Sequence, residues 1–389
     1  MKDMMKQITD MSALADAFQA VRRNRGCGGV DKVNIARFER HLDCHLTELS
    51  RMLREGQYQP LPVRRVLIPK LNGATRPLGI PAVRDRVVQQ AVLTAVQPLV
   101  EPLFSEASYG FRPRRSALQA VQKVQECLDQ GYVYVVDADI KDFFGTLHHQ
   151  VLMDKVRQAI PDRAVTRLIW QFLTAGIMEE GTVRNAEAGT PQGGVISPLL
   201  ANLYLNEFDR KAANREWKLV RYADDFVILC KSVNAAGAAL KKAREILGTL
   251  HLELAEEKTR LTEYAQGFDF LGYRFQRYHG NYKWPRRKAV AAFKDKVRRH
   301  TRRQQPKNVA MVITKLNPVI RGWGHYFKYG NVKNRYRELD GWIRMRLRSF
   351  IAKQKQASGN WRYPNAHFRK LGLCSLTDLL TYQPTLSLP

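Results

Sequence analysis

The stretch Leu219-Val220-Arg221-Tyr222-Ala223-Asp224-Asp225-Phe226-Val227-Ile228-Leu229 sets two adjacent acids between two apolar runs. Such runs on either side of a polar break predict a strand pair with the acids at its turn. Neighbouring carboxylates at a tight turn repel each other, and apolar strands beside them strip their solvation. A divalent cation removes that penalty. A third acid, Asp139, lies at the end of another apolar run, Val133-Tyr134-Val135-Val136-Asp137-Ala138-Asp139-Ile140. Three convergent carboxylates are hard oxygen ligands of the kind Mg²⁺ takes, and two such ions promote in-line displacement at phosphorus. Without its surroundings, Asp224-Asp225 reads equally well as an exposed turn on an ordinary hairpin.

The 389-residue chain carries 64 Lys and Arg against 36 Asp and Glu, a formal charge of +28, and 44% of it is apolar. That apolar fraction builds real cores and excludes a disordered chain. The charge argues for a polyanionic partner and against an ordinary metabolic enzyme. Residues 271–355 alone hold 24 Lys and Arg, three acids and 13 aromatics. Their apolar positions recur at helical spacing: Val290, Phe293 and Val297; Val309, Val312, Ile313 and Leu316; Leu339, Trp342, Ile343, Leu347 and Phe350. This predicts three basic amphipathic helices with breaks at Pro306 and Pro318. Their cations would neutralise phosphates, while the aromatics pack a core or stack on bases. No apolar run approaches the roughly 18 residues of a spanning helix, and no signal peptide opens the chain. A membrane partner is therefore not expected. Five cysteines (Cys27, Cys44, Cys127, Cys230, Cys374) are scattered and never spaced C-x-x-C. That pattern argues against a disulfide framework or zinc knuckle and for a reducing cytoplasm; the expected location is the cytoplasm, nucleoid-associated if the source is bacterial.

The remaining pattern is mixed. Helices are expected over 1–20, 35–55, 82–100, 115–130, 148–175 and 234–250. A hairpin joins strands 63–70 and 75–80 through Asn72-Gly73, and 268–275 reads as a strand. The basic turn Arg22 to Asp31 is glycine-rich but lacks the lysine and threonine of a nucleotide-binding P-loop. His41, Cys44 and His45 share a helix face, too few ligands for a metal site. His148-His149 reads as a helix start rather than a ligand pair.

Tyr222-Ala223-Asp224-Asp225 resembles the YxDD box of reverse transcriptases, and a whole series accompanies it. Asp139-Ile140-Lys141-Asp142-Phe143-Phe144 resembles their first catalytic box. Gly189-Thr190-Pro191-Gln192-Gly193-Gly194 through Asn202 resembles the second. Ile68-Pro69-Lys70-Leu71-Asn72-Gly73 with Arg76-Pro77-Leu78-Gly79-Ile80-Pro81 resembles the fingers hairpin. Asp85-Arg86-Val87-Val88-Gln89, Ser108-Tyr109-Gly110-Phe111-Arg112-Pro113, Glu257-Lys258-Thr259 and Phe270-Leu271-Gly272-Tyr273 continue the series. Ile320-Arg321-Gly322-Trp323-Gly324-His325-Tyr326-Phe327 resembles the maturase-specific thumb. On these motifs, in the family's order over roughly 20–350, the chain is identified as similar to compact group II intron-encoded reverse transcriptase/maturases.

The resemblance implies an α+β right-hand polymerase with fingers, a ferredoxin-like palm and a three-helix basic thumb. Residues 1–130 would form an N-terminal extension and fingers interleaved with the palm, 131–276 the palm, and 286–355 the thumb. Residues 356–389 would be a short tail, either packed or a DNA-binding remnant. It implies RNA-directed DNA synthesis, with intron RNA or another RNA as template, a DNA primer or target, and dNTPs. A maturase role in splicing and intron mobility is implied with it. Asp139, Asp224 and Asp225, with the backbone carbonyl of Ile140, would hold two Mg²⁺ ions. Lys70 and Arg76 would clamp the incoming triphosphate. Phe144, five residues after Asp139, would exclude a 2′-hydroxyl; Phe143 competes for that role, and one of the two is core. Gln192 would meet the nascent base pair. Lys258 is a candidate general acid for pyrophosphate, or else a surface partner of Glu256 and Glu257. Only His367 and Cys374 lie beyond residue 351 as zinc-type ligands, so no endonuclease domain is expected. Three rivals stand beside this reading: a stand-alone reverse transcriptase of the same lineage recruited to host defence or DNA repair, an RNA-dependent RNA polymerase, and an RNA-binding splicing factor without polymerase activity.

Overall fold

The computed structural model describes residues 4–69, 75–179, 182–184, 189–190, 193–306, 308–353 and 362–381. The chain opens with α1 (Met4–Thr9), α2 (Met11–Asn24), α3 (Ile35–Glu39) and α4 (Leu42–Arg54), then β1 (Val63–Pro69), β2 (Thr75–Ile80), α5 (Val83–Val100) and α6 (Ala117–Asp129). Its middle holds β3 (Tyr134–Asp139), α7 (Phe143–Thr146), α8 (His149–Ala159), α9 (Arg163–Thr174), β4 (Ile177–Glu179), β5 (Thr182–Arg184), α10 (Ser197–Lys211), β6 (Trp217–Tyr222), β7 (Asp225–Cys230) and α11 (Val233–Thr249). It ends with β8 (Arg260–Glu263), β9 (Phe268–Phe270), β10 (Tyr273–Arg277), β11 (Asn281–Pro285), α12 (Arg287–His300), α13 (Val309–Phe327), α14 (Lys333–Ala352), α15 (Asn365–Lys370) and α16 (Asp378–Thr381). Two compact units emerge, one of residues 1–127 with 136–261, the other of 128–135 with 262–389.

In the first unit, β1 and β2 pair antiparallel, with Ile68 opposite Arg76, and β4 extends the sheet in the order β2-β1-β4-β5. A second sheet runs β6-β7-β3-β8. β7 supplies Phe226, Val227, Ile228, Leu229 and Cys230, all buried, the continuous apolar run of a strand covered on both faces. α5 buries Val83, Val87, Val88, Val92 and Val96 completely, with Asp85, Arg86 and Gln89 as buried polar residues beside them. The helix expected over 1–20 is broken at Asp10. Its carboxylate accepts the Ser12 N–H at 2.9 Å, capping α2 and separating it from α1.

In the second unit, β9, β10 and β11 form an antiparallel sheet, and the strand expected over 268–275 is in fact two strands turning at Leu271-Gly272. Pro318 does not break its helix: α13 runs through it. The proline and Thr314, whose carbonyl it would orphan, both face solvent, while Ile313, Leu316, Ile320 and Phe327 keep one buried face across the site. The aromatics of this unit are largely core. Trp323 stacks on Phe293 at 4.7 Å and touches Phe327 and Tyr336, and Phe327 packs on Tyr273 at 4.8 Å. Lys294 and Arg298 lie over the Trp342 ring, whereas Arg348 is buried and donates to the Tyr363 carbonyl and Asn365 Oδ1.

Residues 362–381 pack onto α13 and α14. The buried Asp340 carboxylate accepts from Ser375 Oγ, Leu376 N, Thr377 N and Thr377 Oγ1 at 2.7–3.0 Å. Asn317 bonds the Gly372 carbonyl and the Cys374 N–H, and Phe368 and Leu376 are wholly buried.

Candidate active site

The two apolar runs around Asp224-Asp225 form the predicted hairpin. Tyr222 pairs with Asp225, leaving Ala223-Asp224 as a two-residue turn with Ala223 at φ +60°. Gly110 lies against this turn; a Cβ there would sit 2.5 Å from Ala223 N. Asp139 ends β3, which neighbours β7 in the sheet. Its main chain is fixed by Ala255 N–H on the Asp139 carbonyl at 2.8 Å and Lys141 N–H on the Glu253 carbonyl at 2.9 Å, the flanks of an antiparallel Ile140–Leu254 bridge. Those flanks carry the bridging bonds, so the carbonyl of Ile140 faces the opposite edge of the strand, the β7 side.

Lys258 ties the acids together. Its ammonium bonds the Asp139 carboxylate, which holds its pKa above the ordinary lysine value. The fields of Glu257 and Asp224 act in the same direction, and partial burial opposes. Lys258 is thus Asp139's partner rather than a surface mate of Glu256, whose carboxylate pairs with Arg244. Among the described residues no three His, Cys, Asp or Glu side chains gather as a preformed metal cage; the Lys258 ammonium neutralises Asp139 instead. The donor set still suits a hard divalent cation: carboxylates at one strand end and one adjoining turn, with a carbonyl aimed to the same side.

Phe143 is 1% exposed and Phe144 9%, with ring centroids 5.2 Å apart. Phe143 is therefore the deeper of the two. The second box closes on this turn. Thr190 N–H bonds the Phe144 carbonyl at 2.8 Å, and Gly189, at φ +83°, leaves no room for a Cβ against the Phe144 and Gly145 carbonyls. The buried His149 bonds the Gly189 carbonyl and begins α8, and His148 caps that helix by accepting the Val151 N–H. Thr190 Oγ1 meets Ser197 Oγ at 2.7 Å, and Gln89 Oε1 accepts Val195 N–H at 2.8 Å. Arg76 lies on β2; its side chain, with Lys70 and Gln192, falls outside the described residues.

Sequence reasoning missed the polar groups beneath the turn. Arg221 is 0% exposed, and its guanidinium meets Asp209, Asn202, Ser108 and the Ala223 carbonyl. One signal was available. Asn202, Asn206 and Asp209 recur at helical spacing on α10, a buried polar stripe along an apolar helix.

Comparison with known proteins matches two stretches of the chain. The family described as reverse transcriptase (RNA-dependent DNA polymerase) matches residues 68–275, and the group II intron maturase-specific domain matches 290–367. Protein YkfC of Escherichia coli (strain K12) is 39% identical over 320 residues, covering 72% of this chain and 84% of that protein. Group II intron-encoded protein LtrA of Lactococcus lactis subsp. cremoris is 31% identical over 294 residues, 59% of this chain and 49% of LtrA. The putative COX1/OXI3 intron 2 protein of Saccharomyces cerevisiae is 28% identical over 212 residues, 54% of this chain and 25% of that protein. The chain thus spans about half the length of LtrA and a quarter of the yeast protein. Reverse transcriptase domains generally use divalent metal ions, and reverse transcriptases and maturases bind RNA. No described helix is long and apolar enough to cross a membrane.

Proposed function

Because this chain belongs to the group II intron-encoded reverse transcriptase family with a maturase-specific domain, we propose that it copies intron RNA into DNA and assists that RNA's splicing. The primer 3′-hydroxyl attacks the α-phosphate of a dNTP, and pyrophosphate leaves. Asp139, Asp224 and Asp225, with the Ile140 carbonyl, are the proposed ligands of two Mg²⁺ ions. When bound, these supply Lewis-acid activation of the hydroxyl and charge neutralisation at the leaving group.

The chain's own residues do the rest. Lys70 and Arg76 grip the triphosphate with charge-assisted bonds that strengthen as negative charge develops. Lys258, drawn to the site by Asp139, is placed to give a proton to the leaving pyrophosphate. Phe144 blocks the space of a 2′-hydroxyl, and Gln192 meets the nascent pair. Residues 1–130 act as fingers, 131–276 as palm and 286–355 as a thumb whose exposed cations hold the RNA. The protein works in the cytoplasm, at the nucleoid in a bacterium.

One observation carries this reading: Asp139, the last residue of β3 and bonded by Lys258, and Asp225, the first residue of β7, lie on neighbouring strands of one sheet although they are 86 positions apart in the sequence. The test is primer extension on an RNA template with Mg²⁺, using dNTPs and rNTPs in turn. Wild type should extend with dNTPs, and Asp224→Asn should abolish extension while retaining RNA binding. Equal use of rNTPs would favour an RNA polymerase, and unchanged extension by Asp224→Asn would overturn the metal assignment.

A further inference from the structure

A wholly buried arginine one residue ahead of the Tyr222-Ala223-Asp224-Asp225 turn has every donor accounted for. Nε and Nη2 of Arg221 fork onto the two Asp209 oxygens at 2.6 and 2.5 Å. Nη2 also donates to Ser108 Oγ at 2.9 Å, and Nη1 donates to Asn202 Oδ1 at 3.1 Å and to the Ala223 carbonyl at 2.8 Å. Five N–H groups thus find five acceptors. The main chain of Arg221 is pinned as well, its N–H to the Ala107 carbonyl at 2.8 Å and its carbonyl to Tyr109 N–H at 2.9 Å. Asn202 spends its amide on the Gly110 carbonyl at 2.7 Å, the residue pressed against Ala223 N.

We propose that Arg221 is a positioning residue for polymerisation: its fork fixes the Ala223 carbonyl and so sets where Asp224 and Asp225 present their carboxylates. Three points support this. Ala223 holds a left-handed backbone that a residue with a Cβ resists, so something must keep it there. Arg221 is the side chain that grips that peptide from below. The fork's anchor, Asp209, is on α10, whose first residue, Ser197, bonds Thr190 of the second box. Arg221 therefore joins the helix behind the nucleotide-facing box to the turn bearing the acids. It acts only through the Ala223 peptide and touches no reacting atom.

The inference rests on the polymerase reading, so its test includes a readout that needs no catalysis. Two full-length variants are compared with wild type. Arg221→Lys keeps the charge for Asp209 but lacks the fork to reach Ala223 as well. Arg221→Met/Asp209→Leu removes the pair together and leaves no lone buried charge. Mn²⁺ binding is followed by electron paramagnetic resonance, and single-turnover extension gives kcat and the dNTP KM. For each folded variant, Mn²⁺ affinity should fall about tenfold and kcat about 10- to 100-fold, the range for losing a group that orients metal ligands. The dNTP KM should move less than about threefold, since the triphosphate grip is untouched. A folded variant with wild-type Mn²⁺ affinity and kcat overturns the proposal. Failure of both variants to fold assigns the cluster to folding alone and overturns it too. Should wild type itself extend no primer, the polymerase reading fails, and the Mn²⁺ titrations still report whether Arg221 orders the acids.

Discussion

Gly110→Ala isolates the effect of moving the acid-bearing turn. The added Cβ would lie 2.5 Å from Ala223 N, 3.1 Å from the Tyr222 carbonyl carbon and 3.3 Å from its Cα. All three are backbone atoms, so no side chain can swing aside. Ordinary contact begins at 3.4 Å, so the turn must retreat by about 0.9 Å. Gly110 does not occupy the left-handed region, so alanine costs nothing conformationally and the steric push stands alone. Overpacking of this kind costs about 1–3 kcal/mol of stability. A misplacement of about 1 Å in a reacting constellation costs roughly 100-fold in rate. The expected result is a folded protein with a slightly lower melting temperature, primer-template affinity within threefold of wild type, and kcat down about 100-fold. Single-turnover extension at saturating dNTP measures the rate, and fluorescence anisotropy measures binding. Gly237→Ala, on α11 with nothing within 4 Å, is the control and should gain about 0.5–1 kcal/mol. Extension by Gly110→Ala within threefold of wild type would show that the acids work from elsewhere.

Phe144→Ala should raise the kcat/KM of rNTPs relative to dNTPs by about 10- to 100-fold, read from single-nucleotide incorporation, because sugar discrimination then loses its steric wall; Phe143→Ala should instead lower stability by about 3–5 kcal/mol, since that ring is 1% exposed. Asp340→Ala strips the acceptor from two backbone N–H groups and two hydroxyls. It should cost about 3 kcal/mol in chemical denaturation and open residues 362–381 to limited proteolysis. Burial raises the Asp85 carboxyl from 3.8 to about 6, against the bond from Tyr58. Between those values the folded chain holds a proton that the unfolded chain releases, so this group's stabilisation is complete below about pH 4 and lost as pH rises through about 6. Asp85→Asn should therefore gain up to about 3 kcal/mol relative to wild type between pH 4 and 6, measured by urea unfolding across that range.

Where a local rule governs, the sequence was legible. Alternation and turn residues located β1 and β2, and the apolar run before Asp139 located β3 with its acid in last place. Errors arose where a single residue outweighed a period. Asp10 sits inside a good helical stripe, yet its short carboxylate serves better as a cap, and the helix divides there. Pro318 is a helix breaker by its chemistry, but the buried face on both sides of it is continuous, and packing along α13 outweighs one lost hydrogen bond at an exposed carbonyl. The short strands β4 and β5, three residues each, carry no period long enough to detect.

At the site, legibility followed cost. Adjacent acids on an apolar hairpin carry a cost, but Asp224 and Asp225 became legible as a site only beside Asp139 and the accompanying motifs. Arg221 is just as costly, wholly buried in the same hairpin, yet it passed unnoticed because a chain with 64 Lys and Arg makes any single arginine look like surface. What distinguishes it is its surroundings: it follows the buried apolar Leu219 and Val220 and is buried with them, and its counter-charge waits on α10 among other buried polar groups. A buried cation costs least where every donor meets an acceptor, and the Arg221 guanidinium has that complete set. Where five acceptors converge on one guanidinium directly beneath two acids, the burial is better explained by the turn it holds than by stability. An apolar pair in its place would leave no lone buried charge, but it would strip the donor from Asn202 Oδ1 and the Ala223 carbonyl and cost the acids their alignment.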